Sequence, residues 1–100
     1  MFDVVLGSDG MRMREIVIPE RAKERATLPM PQTDPTEVLT EGDFLRRTAP
    51  LYDSSLAANC RFFVTVFDST APTEKDLYKN LLRTVEGHFY KRLSRERAPF

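Results

Sequence analysis

Histidine and cysteine are the side chains best suited to chemistry in this 100-residue chain, and each occurs once. His88 could act as a general base or a metal ligand, and Cys60 could supply a thiolate nucleophile. Either role needs a second group, and the sequence places none beside them. We therefore interpret His88 as a residue at the margin of a helix's apolar face, and Cys60 as a small buried side chain that opens a strand.

Acidic residues and glycines offer two further candidate sites. Four carboxylates follow one another closely, but their spacing matches no calcium-binding loop; they are Asp34, Glu37, Glu41 and Asp43. Gly7 and Gly10 bracket two polar residues between apolar runs, which favours a hairpin turn over a phosphate-binding loop. The sequence thus predicts no metal and no cofactor.

Basic residues cluster near the C-terminus, where Lys91, Arg92, Arg95 and Arg97 could contact phosphates. The whole chain carries fifteen basic and fifteen acidic residues, so no global field attracts it to nucleic acid, and we expect nucleic-acid binding to be disfavoured. No apolar run is long enough to span a membrane or to act as a signal peptide, and one cysteine forms no intramolecular disulfide. The expectation is a cytoplasmic protein without a membrane partner.

The clearest elements are a strand over 60–67 and an amphipathic helix that follows it. Period two places Cys60, Phe62, Val64 and Val66 on one face of the strand, and Arg61, Phe63, Thr65 and Phe67 on the other. Thr73 and Asp76 resemble a helix capping box. The helix then carries an apolar stripe, and Arg92 and Arg95 are predicted to project from its end. The stripe consists of Leu77, Tyr78, Leu81, Leu82, Val85, Phe89 and Leu93.

The rest of the chain predicts a hairpin over 1–18 and a short helix capped by Thr40 and closed by Pro50. Together these elements predict one α+β domain over 1–100. Its fold is a small two-layer sandwich, in which an N-terminal hairpin and a central strand pack against a long C-terminal helix, with an α-β-α portion over 37–100.

Residues 19–36 form a long connection, with three prolines in its last ten positions. Proline disfavours helix in the preceding residue and removes a backbone donor, so this segment is predicted to be an extended, proline-rich arm. Leu28 and Met30 alternate with these prolines. Because connections of this length are uncommon in small domains, we expect the arm to lie along another surface.

These patterns favour a non-enzymatic interaction or accessory protein that binds another protein or copies of itself. The predicted contact residues are the apolar side chains of the arm, the less apolar face of the strand and the basic end of the helix, namely Leu28, Met30, Phe63, Phe67, Arg92 and Arg95. Two alternatives remain open: a nucleic-acid-binding protein that uses the basic C-terminal helix end, and a small enzyme or ligand-binding domain that uses His88 or Cys60.

Overall fold

The backbone forms one four-stranded sheet with helices packed on one of its faces. The computed structural model describes residues 1–100, with strands β1 (Phe2–Gly7), β2 (Gly10–Glu15), β3 (Phe63–Ser69) and β4 (Tyr90–Leu93), helices α1 (Ala22–Ala26), α2 (Glu41–Ala57) and α3 (Lys75–His88), and a 3-10 turn at Pro19–Arg21. The strand order is β2-β1-β3-β4, in which β1 pairs antiparallel with β2 and parallel with β3, and β3 pairs parallel with β4. The predicted α+β class with two layers is confirmed.

Strand β1 lies at the centre of the core, and all six of its residues are buried. Phe2, Val4 and Leu6 belong to the same hydrophobic cluster as Leu51 of α2 and Val85 of α3. Burial of these alternating apolar side chains against the helices stabilises the fold through the hydrophobic effect. The opposite face of β1 points away from the helices.

Helix α2 runs through the proline that was expected to end it. Thr40 caps the helix as predicted, since its hydroxyl accepts a hydrogen bond from the Asp43 amide at 3.1 Å. Phe44 and Leu51 are both buried on one side of the helix, and Pro50 lies between them on its exposed side. The packed stripe therefore continues across Pro50 and outweighs its missing amide donor.

The predicted C-terminal helix is wrong beyond His88. At Phe89 the backbone is extended, with φ −134° and ψ 155°, and Tyr90–Leu93 then pairs with β3. The segment that the sequence predicts to be the basic end of this helix is therefore an edge strand followed by a C-terminal segment. The predicted capping box is also wrong, because the N-cap residue of α3 is Glu74 and no side-chain bond caps it.

Strand β3 confirms the predicted inward face and corrects the strand's start. Val64 and Val66 are buried in the core, as period two requires. Cys60, however, lies exposed before the strand rather than buried within it. On the opposite face Phe67 pairs in register with Val5, and both side chains are buried.

The segment over 19–36 is not extended throughout, as predicted, but begins with the 3-10 turn and α1 and folds back onto its own chain. Arg25 of α1 pairs with Glu15 at the end of β2, and this hydrogen bond lowers the pKa of the Glu15 carboxyl. Leu28 and Met30 are half-buried against the hydrophobic core. The cavity beneath them measures only about 30 Å³, so the apolar side chains of the segment are already partly covered.

Candidate functional site

Strand β4 leaves one edge of the sheet open. All four of its residues are exposed, and its ladder partner is β3. At the other edge, Met11 of β2 exchanges two backbone hydrogen bonds with Leu39, at 2.9 and 2.7 Å. An unpaired edge presents free N–H and C=O groups, which can pair with another extended segment.

A row of aromatic and arginine side chains in contact with one another runs along the surface beside β4. The rings of His88 and Tyr52 stack with centroids 4.3 Å apart. The Arg61 guanidinium lies 5.7 Å from the Tyr52 ring and 5.3 Å from the Tyr90 ring, so it sits against both tyrosines. Tyr90 in turn contacts Phe63, with ring centroids 5.2 Å apart. Cation–π contacts of this kind prefer an arginine flat against an aromatic face.

Arg61 links this row of side chains to the end of α3. Its Nη2 donates to the backbone oxygen of Glu86 at 2.7 Å, where the helix has unpaired carbonyls and a negative dipole end. Its Nε is buried without a hydrogen-bond acceptor. The guanidinium therefore connects Tyr52 of α2 and the C-terminal end of α3 with Tyr90, the first residue of β4. These contacts position the Tyr90 ring.

Large apolar side chains are exposed around the same edge. Phe63 is 60% exposed and Tyr90 is 49% exposed, and Leu56 and Leu93 are exposed to a similar extent. Arg61, Phe63 and Tyr90 together line two open depressions of about 440 and 430 Å³. We define the β4-edge surface as these exposed residues together with the arginines beside them, namely Leu56, Arg61, Phe63, Tyr90, Arg92 and Leu93.

The electrostatics of this surface are cationic, although the chain has no net charge. Lys91 forms an ion pair with Glu86 at 2.8 Å. Arg92 is exposed on β4 and takes part in no ion pair, and Arg95 follows just beyond the strand. A partner that meets this edge therefore encounters a local excess of positive charge.

His88 is held in one tautomer by its hydrogen bond to Thr48. The Thr48 hydroxyl donates to the Phe44 carbonyl at 2.8 Å, so its proton is already used. His88 Nδ1 must then donate to Thr48 Oγ1, which lies 2.8 Å away. Burial lowers the pKa of His88, while the Asp53 carboxylate opposes this effect. A general base would accept a proton from such a hydroxyl, and here the direction of the bond is the opposite.

The structure brings together only part of the predicted contact set. Phe63 and Arg92 lie on the same face of adjacent strands, because Phe63 pairs with Tyr90 and Thr65 with Arg92. Arg95 is exposed just beyond β4. Phe67 lies on the same face of β3 but is buried beside Val5 of β1, and Leu28 and Met30 pack half-buried against the core elsewhere.

Sequence reasoning missed the tyrosines and the role of Arg61. Tyr90 falls within the predicted C-terminal helix but outside its apolar stripe, and Tyr52 falls between the predicted short helix and the strand, where no element is predicted. The available signal was the alternation of Phe89, Lys91 and Leu93 with Tyr90 and Arg92, which fits a strand after the helix-weakening Gly87. Arg61 is predicted on the strand, but it lies just before β3, and its contacts depend on α2 and α3 and leave no local pattern.

No protein-family model, characterised protein or solved structure matches this chain. No helix is both long enough and apolar enough to pass through a bilayer. Nor do three or more His, Cys, Asp or Glu side chains converge into a group that could hold a metal ion.

Proposed function

We propose that this chain is a non-enzymatic interaction protein that binds another protein through the β4-edge surface. The observation that supports this proposal most directly is that an unpaired backbone edge lies beside four exposed large apolar side chains. Single exposed apolar residues are ordinary, whereas a cluster beside a free strand edge is typical of a protein-binding site.

The properties of this surface support protein recognition in particular. Tyrosine, phenylalanine and arginine are enriched where proteins bind one another, since they combine large apolar area with a polar or charged end. Tyr90 and Phe63 are held by contacts with each other and with Arg61, so little side-chain entropy is lost when a partner covers them.

A second candidate function, binding of single-stranded nucleic acid, is favoured by one observation. The exposed rings of Phe63 and Tyr90 lie beside Arg92 on the face of the sheet without helices. Bases can stack on such rings while arginines contact phosphates. Binding of that kind would weaken steeply with salt, which distinguishes it from apolar protein docking.

Site-specific photo-crosslinking in the native source tests the proposed function. A benzoylphenylalanine replacing Phe63 or Tyr90 should yield discrete adducts with another protein, because both side chains face a bound partner. The matched control places the crosslinker at Val17, which is 70% exposed but lies in the segment after β2.

Adducts at positions 63 and 90 would support the proposal if they are absent at position 17, and if Tyr90→Ser weakens those formed at 63 and Phe63→Ser those formed at 90. Adducts of equal yield at position 17, or adducts that disappear on nuclease treatment, would contradict it. The second result would favour nucleic-acid binding instead.

A further inference from the structure

We infer that β4 receives an extended segment of a different protein as an added strand, and that the four central residues of this segment follow the order apolar, acidic, acidic, apolar. The inference rests on the proposed function and names the chemistry of its partner. Affinity would come from main-chain hydrogen bonds along the edge, and selectivity from the side chains opposite β4.

The backbone of β4 directs specific groups outward. The Tyr90 amide donates to the Phe62 carbonyl and the Ser94 amide to the Val66 carbonyl, both at 2.9 Å. In a parallel ladder alternate residues bond to the same neighbouring strand, so Lys91 and Leu93 point their N–H and C=O groups away from β3. An added strand can therefore form four backbone hydrogen bonds with these two residues.

The side chains of β4 define what should lie opposite each position. Tyr90 lies on the face without helices and is flanked by Phe63, so it favours an apolar or aromatic partner. Lys91 and Arg92 favour carboxylates, and Leu93, which is half exposed, favours a second apolar side chain. Since β4 is apolar at both ends and cationic between them, the complementary order is the same in either strand direction.

A second copy of the chain does not meet this requirement through β4. Because Lys91 and Leu93 point outward, antiparallel self-pairing would place Lys91 opposite Lys91 or Arg92 opposite Arg92 of the second copy, and parallel self-pairing would place Lys91 opposite Arg92. Like charges directly opposite one another destabilise a strand pair. The chain also contains no two adjacent acidic residues, so none of its own segments has the complementary order.

A peptide titration tests the inference directly. The probe is the synthetic peptide acetyl-Gly-Ser-Phe-Glu-Asp-Leu-Ser-Gly-amide, added to isotope-labelled full-length protein and followed by amide chemical shifts. Saturable shifts should be largest in Tyr90–Leu93. The control peptide carries Lys-Arg in place of Glu-Asp and should cause no saturable shift, because its charges repel those of β4.

The backbone contribution can be isolated with a matched pair of variants. Lys91→Pro removes an amide that points outward, and Lys91→Ala removes the same charge but keeps that amide. Lys91→Pro should bind the peptide about tenfold more weakly than Lys91→Ala does. A peptide N-methylated at its aspartate should lose affinity similarly, which tests the same bonds in the unaltered protein.

The charge contribution is tested by Arg92→Glu, with Arg97→Glu as the control of equal net charge outside β4. Arg92→Glu should weaken peptide binding about five- to thirtyfold, since it replaces one favourable cross-strand pair by a repulsive one. Arg97→Glu should leave the affinity within about twofold of the parent protein, because exposed charges off the strand are screened.

Three results would overturn the inference. The first is the absence of saturable shifts up to about 1 mM peptide, an affinity too weak for a specific site. The second is equal binding by Lys91→Pro and Lys91→Ala together with undiminished binding of the N-methylated peptide. The third is that a single-stranded uridine oligonucleotide shifts Tyr90–Leu93 while the acidic peptide does not.

The outcomes also separate this inference from the proposed function. If crosslinking at positions 63 and 90 captures a protein but the peptide fails, protein binding stands and strand addition by an acidic segment is wrong. If crosslinking also fails, the proposed function is wrong as well.

Discussion

Thr40 stabilises the start of helix α2 because its hydroxyl accepts the Asp43 amide. Thr40→Ala should lower the free energy of unfolding by about 1 kcal/mol, as measured by urea denaturation. The matched control is Thr73→Ala, because Thr73 is exposed just before α3 and its side chain makes no hydrogen bond. If Thr73→Ala lowered the free energy of unfolding by the same amount, Thr73 would cap α3 after all, contrary to the structure.

His88 should make stability depend on pH near neutrality. Burial lowers the pKa of His88 in the folded protein, so the unfolded chain takes up a proton first as the pH falls below about 6.5. Stability due to this residue is therefore present above that pH and is lost on acidification toward the lower folded pKa.

Urea denaturation at about pH 7.5 and 5.5, a window that contains the unfolded histidine pKa, measures this dependence. His88→Gln keeps a group able to donate to Thr48 but removes the titration, so the variant should lose less stability between the two pH values. A decrease as large as that of the parent protein would show that other groups cause it.

At the scale of elements, Pro50 is a local defect that tertiary packing overrides. Its ring removes one helical hydrogen bond within α2, while the buried stripe on either side keeps its register. Pro50→Ala should raise the free energy of unfolding by about 1–2 kcal/mol, the gain of the bond being partly offset by a more flexible unfolded chain.

Pro35→Ala is the matched control for this prediction, because Pro35 lies outside any helix or strand and is exposed. It should leave stability unchanged or lower it by up to about 1 kcal/mol. If Pro50→Ala were also neutral or destabilising in thermal and urea melts, the proline would be accommodated without a lost bond.

At the scale of the whole molecule, the charges of β4 disfavour self-association through the open edge. Lys91→Glu should reverse this, because parallel pairing of two copies would then place a carboxylate at position 91 opposite Arg92 of the second copy. We expect self-association at least about tenfold stronger than in the parent chain, measured by analytical ultracentrifugation.

The control for self-association is Lys79→Glu, which makes the same charge change on the exposed side of α3. It should leave the sedimentation of the parent protein unaltered. Dimers of equal strength in both variants would indicate a general effect of net charge, and a parent protein that already dimerises through β4 would contradict the argument from like charges.

Local patterns predicted much of the core but only part of the candidate site. Val64 and Val66 point inward because a strand's side chains alternate, and Thr40 caps a helix because its hydroxyl can reach a nearby amide. Phe63 and Arg92 were selected as partner contacts, and both belong to the β4-edge surface. Tyr90 is not among the predicted contacts, because it falls within the predicted C-terminal helix.

What the sequence by itself determined is the α+β class, the hairpin, the inward face of β3 and most of α3, because each follows from periodicity and turn chemistry between near neighbours in the chain. Only the tertiary structure decided where α3 ends. Phe89 and Leu93 continue the helical spacing and also fit an alternating strand, and pairing with β3 selects the strand. That pairing is a contact between segments distant in sequence, and it also creates the open edge on which the proposed function depends.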